Sequence, residues 1–340
     1  MEKKEALIKK FKEALQNAQR PVYIFDGDTD GLSSFLLLYH FVKEGKGIMQ
    51  KLHVTYNEPF IDKINSYHPD VIFILDKPVV EQEFIDACKA PVFYLDHHPV
   101  QQVTGCTYFN PRMFNDEDNS CTAYWAYELA GGPLWIAMTG IIGDWQTHHL
   151  AEFKKAYPGV IPPSVTKQED IYLDTIWGSF VRMINFILKG PTKDVKKNIK
   201  IMTRIKEASE ILEQTTSQGK FLYRYAEKIQ VQYDKIRRQI KATRSPLVSH
   251  VYQDEGLSFT GDLSNELLIR YPEKTVLIGR QKGDQIAFSA RNTTKDLASA
   301  LKIALEGLQG SGGGHTHACG GSIIAEEFPL LKKRLSTLLS

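Results

Sequence analysis

The chain is short of cysteine, lacks long apolar runs and carries almost no net charge. Its four cysteines are too far apart for a CxxC pair, so we do not expect a zinc ribbon. The same cysteine usage suits a reducing compartment. No apolar run reaches the length of a membrane span, and the charged N-terminal segment has no signal-peptide core, so we expect a cytoplasmic protein. A net charge of +2 excludes a general attraction to polyanions, and any nucleic-acid track must be local.

Short apolar strands alternate with helices over residues 21–100. Buried parallel strands are expected at residues 21–25, 52–56, 71–75 and 92–95. Residues 119–130 are typical of a helix, and residues 134–143 form a buried apolar segment. This alternation predicts an α/β fold with a doubly wound, mostly parallel sheet.

The strand pattern stops at residue 151 and returns after residue 246. Helices are predicted between, with long charged stretches at 193–214 and 218–243. Strands are then predicted at residues 247–252, 256–260, 275–280, 285–291 and 321–325, with a glycine-rich loop before the last. The chain is therefore predicted to have an N-terminal domain at 1–188, a helical connector at 189–245 and a smaller α/β domain at 246–340.

Acidic residues and histidines follow three of the N-terminal strands. They are Asp26, Asp28 and Asp30 after the first strand, Asp76 after another, and Asp96, His97 and His98 after the last. Ligands of open α/β sheets lie beyond the carboxyl ends of strands, and so many acids at one edge would repel each other strongly. The pattern predicts a cation site, to which Asp144 adds a further acid.

Simpler explanations account for parts of this set. A helix cap uses one aspartate of the DGDTDG turn but not three, and an EF-hand fails because its twelfth position is Leu37 rather than glutamate. Asp76 taken alone suits a helix cap, and the Asp96–His98 segment suits a satisfied polar turn. Taken together, oxygen and imidazole donors without thiolates favour Mn²⁺ or Mg²⁺.

Seven motifs carry a family resemblance. In chain order, DGDTDG, ILDK, LDHH and GIIGD resemble the catalytic motifs of the DHH phosphoesterase superfamily. NPR at 110–112 resembles a segment of its RecJ-like branch. SARN at 289–292 and GGGHTHACGG at 312–321 resemble the DHH-associated domain. The resemblance implies a DHH catalytic domain followed by a substrate-binding domain.

The resemblance also implies a role for each matching residue. Two ions, Mn²⁺ or Mg²⁺, would be bound by Asp28, Asp30, Asp76, His97 and Asp144, with Asp76 between them. Asp26 occupies a variable position, and its direct binding to metal stays open. Beside the scissile phosphate would lie the catalytic residues His98 and Asp96. Substrate phosphate would be held by Arg291, Gly312, Gly313, Gly314 and His315, although a glycine run is also typical of a flexible linker.

The function that we expect is that of a RecJ-like exonuclease, which hydrolyses single-stranded DNA or RNA by two-metal activation of water. A nanoRNase or 3′-phosphoadenosine 5′-phosphate phosphatase acting on short oligonucleotides is the alternative. A replication-complex scaffold that binds GINS-type partners is disfavoured because the acidic set is complete.

The connector offers basic residues for a nucleic-acid strand, although charged helix faces are usually solvated. They are Lys189, Lys193, Lys196, Lys197, Lys200, Arg204, Lys206, Arg237, Arg238, Lys241 and Arg244.

Overall fold

The computed structural model of the protein describes residues 2–51, 53–241 and 244–339 and divides into two units, Met1–Glu227 and Lys228–Ser340. The division falls inside the predicted connector, and the functional boundaries after residues 188 and 245 stay a prediction. Over the described ranges, no helix combines the length and apolar character that a membrane span requires.

A parallel sheet forms the centre of the first unit. Within the described residues its strand order is β2-β1-β3-β4-β5, with every neighbouring pair parallel. The strands are β1 (Val22–Phe25), β2 (Lys46–Met49), β3 (Ile72–Leu75), β4 (Val92–Leu95) and β5 (Thr107–Phe109). β1 and β3 are buried along their whole length, which explains their unbroken apolar sequences. The predicted parallel α/β fold is confirmed.

Helices cover both faces of this sheet. The helices of this part of the chain are α1 (Glu2–Asn17), α2 (Thr29–Val42), α3 (Glu58–Asn65), α4 (Gln82–Ala87), α5 (Thr122–Ala130), α6 (Leu134–Gly143), α7 (Leu150–Ala156), α8 (Gln168–Asp174), α9 (Ile176–Ile187), α10 (Thr192–Met202), α11 (Ser209–Leu212) and α12 (Ser217–Arg237), the last of which begins in the first unit and ends in the second. On one face, Ile24 and Ile74 share a core with Ile61 of α3 and Phe84 of α4. On the other, the rings of Phe25 and Phe35 stack with centroids 4.6 Å apart.

Two predictions for this unit need correction. The segment 52–56 is not a strand of the sheet: Leu52 lies outside the described residues, and Val54 forms an isolated bridge with Val80. The strand beside β1 is instead Lys46–Met49, which periodicity missed because a half-exposed edge strand needs few apolar residues. The charged stretch 193–214, predicted as helical, is interrupted, because α10 ends at Met202 and α11 begins at Ser209.

The buried segment 134–143 is helix α6, which follows α5 directly. Helix α6 is apolar on all sides, so no helical period marks it in the sequence. It packs closely against its neighbours: a Cβ atom on Gly140 would lie 2.4 Å from Cβ of Ala123 and 2.8 Å from Cβ of Ser33. This close approach brings the end of α6, and with it Asp144, to α2 and α5.

The second unit has a mixed sheet of its own. Its strands are β6 (Leu247–Gln253), β7 (Thr275–Lys282), β8 (Gln285–Arg291), β9 (Gly310–His315) and β10 (Ala318–Ile324). In the described residues the order is β6-β7-β8-β10-β9, with β6 and β7 parallel and the other pairs antiparallel. The helices are α13 (Thr260–Arg270), α14 (Leu297–Leu305) and α15 (Phe328–Leu338). Leu301 and Leu331 from α14 and α15 pack into a core with Leu277 and Phe288.

Two predictions for this unit also need correction. Residues 256–260 do not form a strand, because Phe259 caps α13 and Thr260 is its first residue. The glycine-rich stretch is not a loop but strand β9, paired with β10 in an antiparallel hairpin. Glycine disfavours strands by its own propensity, so only the pairing partner β10 reveals this one.

Replacing Gly140 by alanine should destabilise the first unit by about 1–3 kcal/mol, because the added methyl group overlaps Ala123 and Ser33. All four tryptophans lie in this unit, so urea denaturation followed by tryptophan fluorescence measures its unfolding. Gly261→Ala on α13 is the matched control, since a Cβ atom there meets nothing within 4 Å. Measured by circular dichroism, the control should be neutral or slightly stabilising, and equal losses in the two variants would contradict the packing argument.

Candidate metal centre

Acidic residues and histidines meet at the carboxyl end of the parallel sheet. Three groups each offer ligand atoms that lie within 4.8 Å of one another. They are Asp26, Asp28 and Asp76; Asp76, His97 and His98; and Asp30, Cys121 and Asp144. Every residue that the sequence predicted as a metal ligand is among them. Within the described residues Asp76 alone belongs to two groups, which puts it at the middle of the cluster.

Asp76 is held by its backbone and by two neighbours. It follows β3 in the left-handed region with φ of 57°, a conformation that aspartate tolerates better than most residues. Its Oδ1 accepts a hydrogen bond from Thr122 Oγ1 at 3.2 Å and lies 3.5 Å from Nε2 of His97. Burial alone would raise the pKa of Asp76, but the hydrogen bond from His97 and the charges of both histidines lower it to about 2.

Asp30 is bound to the N-terminus of helix α5. Its Oδ2 accepts from the backbone N–H of Thr122 at 2.9 Å, and its Oδ1 accepts from that of Ala123 at 2.6 Å. A helix N-terminus stabilises negative charge, and each carboxylate oxygen keeps a second lone pair for a cation. Burial and the charges of Asp76 and Asp144 nevertheless raise the pKa of Asp30 well above its usual range.

His97 lies among the carboxylates with one nitrogen already bound. Its Nδ1 donates to the carbonyl of Asn119 at 3.1 Å, which leaves Nε2 directed at Asp76 and 3.9 Å from Asp30. Histidine ligands of metals commonly donate their other nitrogen in this way. Burial would lower the pKa of His97, but its hydrogen bond to Asp76 and the charges of Asp144, Asp76 and Asp30 raise it to about 11. Without metal, the imidazolium itself is a cation among the acids.

His98 is positioned by a buried aspartate. Its Nδ1 lies 2.8 Å from Oδ1 of Asp96, and its backbone N–H donates to Oδ2 at 3.1 Å. Asn110 donates both to Asp96, at 3.3 Å, and to the carbonyl of His98, at 2.8 Å. Arg112 donates from Nε to the carbonyl of His97 at 3.0 Å. The NPR segment thus supports the two histidines, a task that the sequence did not reveal.

Lys77 and Cys121 belong to the centre, and the sequence analysis missed both. Lys77 is 1% exposed, and its ammonium group binds Oδ1 of Asp26 and, at 2.7 Å, the carbonyl of Gln50. The charge of Asp26 is therefore balanced by a protein cation. Cys121 offers its Sγ beside Asp30 and Asp144, and burial raises the pKa of its thiol well above the usual range. The only sequence signal was the lysine inside the ILDK motif.

The predicted phosphate contacts lie on the sheet of the second unit. Arg291 on β8 is opposite Ala318 on β10, which is opposite His315 on β9, so their side chains share one face. Two strand spacings put the outer pair about 10 Å apart. Arg291 is partly engaged, with Nε donating to Oδ1 of Asn265 at 2.8 Å. His315 is exposed.

The glycines of β9 have two different surroundings. A Cβ atom on Gly312 would lie 3.1 Å from Leu301 of α14, and one on Gly314, where φ is 149°, would lie 2.3 Å from the carbonyl oxygen of Ala318. Close packing and backbone conformation therefore require these two glycines. Gly313 meets nothing within 4 Å and leaves the surface beside Arg291 and His315 flat.

Comparisons with known proteins agree with this architecture. Residues 22–162 match the model of the DHH family, N-terminal domain, and residues 259–340 match the DHHA1 domain. No curated protein gives a significant match in sequence.

Three solved structures share the fold at 16% sequence identity. RecJ in complex with Mn²⁺ from Thermus thermophilus has a TM-score of 0.69 and covers 98% of this chain and 54% of that chain. An exonuclease RecJ bound to manganese has a TM-score of 0.59, with 98% and 93% covered. The pGpG-specific phosphodiesterase PggH from Vibrio cholerae has a TM-score of 0.50, with 94% and 99% covered. The chain thus spans about half the length of the Thermus protein.

Two substitutions in this cluster should change stability by different amounts when metal is absent. Burial raises the pKa of Asp144 to about 6, so at pH 7.5 its ionised form costs stability. Asp144→Asn in EDTA should therefore raise the free energy of unfolding by about 1–3 kcal/mol. At Asp30 the raised pKa acts in the same direction, but an amide has one oxygen for two backbone donors, so Asp30→Asn should gain less stability than Asp144→Asn.

Thermal unfolding in EDTA and in excess Mn²⁺ checks both expectations. Mn²⁺ should stabilise the unsubstituted protein by mass action and should stabilise Asp144→Asn less. The difference between their midpoints of thermal unfolding should therefore become smaller in Mn²⁺ or change sign. A loss of stability in EDTA for Asp144→Asn, or an equal response of both proteins to Mn²⁺, would contradict the electrostatic account.

Proposed function

Because the chain belongs to the DHH family, we propose that it is a metal-dependent phosphodiesterase, and more specifically a RecJ-like exonuclease of single-stranded DNA or RNA. The observation that carries this proposal is the cluster of buried carboxylates and histidines around Asp76 at the end of the parallel sheet. The RecJ structures that share the fold, crystallised with manganese, support it.

The donor atoms fit hard divalent cations. Carboxylate oxygens and the Nε2 nitrogen of His97 suit Mn²⁺ or Mg²⁺. We propose two ions, with Asp76 shared between them. Their ligands would be Asp28, Asp30, Asp76, His97 and Asp144. When bound, such ions polarise a phosphate and lower the pKa of an attacking water.

The protein's own groups have distinct tasks in this proposal. Asp96 engages Nδ1 of His98, so Nε2 is the nitrogen that remains for the substrate. Beside the scissile phosphate, Nε2 of His98 would stabilise the negative charge that develops on the phosphate during hydrolysis. Asp26, paired with Lys77, stabilises the acidic turn through an ion pair rather than as an essential ligand. Arg291, His315 and the glycine strand Gly312–Gly314 would contact further phosphates of the substrate.

A second candidate substrate class has support of its own. PggH, a pGpG-specific phosphodiesterase, is covered along 99% of its length, whereas Thermus RecJ extends well beyond the matched part. An enzyme for short oligonucleotides is therefore the alternative, with the same metal centre.

Asp76→Asn should reduce Mn²⁺-dependent hydrolysis at least about 100-fold, because the substitution removes the charge of the residue that two of the three ligand groups share. Asparagine is chosen over alanine because it tolerates the positive φ of this position. The assay follows end-labelled single-stranded DNA and RNA of graded length, and 3′-phosphoadenosine 5′-phosphate. Stepwise shortening of long strands is the expected result. Hydrolysis of only the shortest substrates would favour the alternative, and unchanged turnover of the variant would remove the site assignment.

Asp96→Asn should lower kcat about 10- to 100-fold with little change in KM, because the amide no longer fixes the proton and orientation of His98. Steady-state kinetics with a short oligonucleotide and a Mn²⁺ titration give the two readouts. A shift in the Mn²⁺ requirement with unchanged kcat would instead assign Asp96 to metal binding.

A further inference from the structure

A basic cavity lies beside the edge strand β2, in the first unit. Its volume is about 540 Å³, within the range of small-molecule and cofactor sites. Five cationic side chains line it, from β2, α3 and the α10 region: Lys46, Lys63, Lys196, Lys200 and Arg204. In the described part of the chain, Glu44 is the one acid in the lining. We call this cavity the β2 pocket.

The cations of the β2 pocket have no carboxylate partners. Over residues 2–51, 53–241 and 244–339, none of the five lies within 4.0 Å of a carboxylate, whereas the buried Lys77 is paired with Asp26. Like charges gathered around one concave surface repel each other and raise the local concentration of anions. The lining therefore favours an anionic ligand with more than one charge.

The wall of the pocket offers further polar and aromatic groups. In the described residues β2 pairs with β1 on one side only, so its other edge has backbone donors and acceptors free for a ligand. Phe35, Tyr39 and Tyr67 also line the cavity, and Tyr39 and Tyr67 are partly exposed. Cations for phosphates combined with aromatic rings for bases are typical of sites for single-stranded nucleic acids.

One end of the pocket reaches the acidic turn of the metal centre. Met49 is the last residue of β2 and lines the pocket. Its Sδ lies 3.5 Å from the position that a Cβ atom would take on Gly27, the residue between Asp26 and Asp28. Lys51, two residues further on, approaches the same glycine, with its Cγ 3.0 Å from that position. Met49 thus lies between the pocket and the turn that bears the predicted ligands.

We propose that the β2 pocket binds phosphodiester-linked nucleotides through Lys196, Lys200 and Arg204, with bases against Tyr39 and Tyr67. The inference rests on the proposed function for its ligand class. Phosphate groups joined to a nucleoside, the chemistry that these side chains would recognise, have two sources: the part of a substrate strand beyond the scissile phosphate, or a free nucleotide. The observations favour the strand, because the pocket lies along β2 and the last residue of that strand, Met49, approaches the acidic turn at Gly27.

The test uses two charge-matched double variants of the full chain. Lys196→Glu with Lys200→Glu reverses two charges in the pocket. Lys193→Glu with Lys206→Glu reverses two exposed charges near the same helix but outside the lining. Circular dichroism and thermal unfolding establish that both are folded. Binding of labelled oligothymidylates of 2, 4, 8 and 12 nucleotides is measured by fluorescence anisotropy at several salt concentrations, in the Asp76→Asn background to prevent degradation.

The pocket variant should bind the 12-mer at least tenfold more weakly, with the slope of log K against log salt reduced by about 1.4 for two lost phosphate contacts. The charge-matched control should lose less than threefold. Equal losses in both variants, or no loss in the pocket variant, would overturn the proposal.

The two sources are separated by the length dependence and by a free nucleotide. A defect confined to the longer oligomers identifies the strand, whereas ADP binding that the pocket variant loses identifies a free nucleotide. Hydrolysis by the unsubstituted protein is measured separately. If the protein does not hydrolyse the substrates but the two variants still differ in binding, the proposed function is refuted and the pocket proposal stands. If the protein hydrolyses them but the two variants bind equally well, the pocket proposal alone is refuted.

Discussion

The repulsion between buried carboxylates around Asp76 is the constraint on which the rest of the structure depends. Asp30, Asp76 and Asp144 approach one another with little water to screen them, and the raised pKa values of Asp30 and Asp144 record the cost. The protein offsets part of it with the imidazolium of His97 and the N-terminus of α5. Lys77 neutralises Asp26 in the same way. Divalent cations bound among these carboxylates would remove this electrostatic cost.

Close packing explains how these groups are held. The strands β1, β3 and β4 end side by side, and Gly140 allows α6 to approach α2 and α5 so that Asp144 reaches the same point. Beside it, Asp96 and Asn110 form a separate hydrogen-bonded support for His98. In the proposed site, metal binding and the support of His98 would therefore fall to different carboxylates of one sheet edge. In the second unit, Arg291 and His315 share a face because of strand register rather than sequence proximity.

The lysines of helix α10 have different surroundings, and some of them line the β2 pocket. Lys196 and Lys200 line the cavity with Arg204 just beyond the helix, whereas Lys197 lies 4.1 Å from the centroid of the Phe221 ring. Helical spacing alone separates these two kinds of lysine, and only the position of β2 determines which of them meet a cavity. An excess of one sign of charge marks both sites, negative in the candidate metal centre and positive in the pocket.

Sequence alone determined the parallel sheet of the first unit, the acids that follow its strands and the order of the motifs, because buried strands require apolar runs and ligands follow their carboxyl ends. It missed β2 because an edge strand needs few apolar residues, and it missed β9 because glycine hides a strand whose partner supplies the pairing. Tertiary structure decided three contacts: the ion pair of Lys77, the hydrogen bonds of Asn110, and the different partners of Asp30 and Asp96. Each depends on a partner from a separate segment of the chain, and local sequence does not specify which distant groups the packing brings within hydrogen-bonding distance.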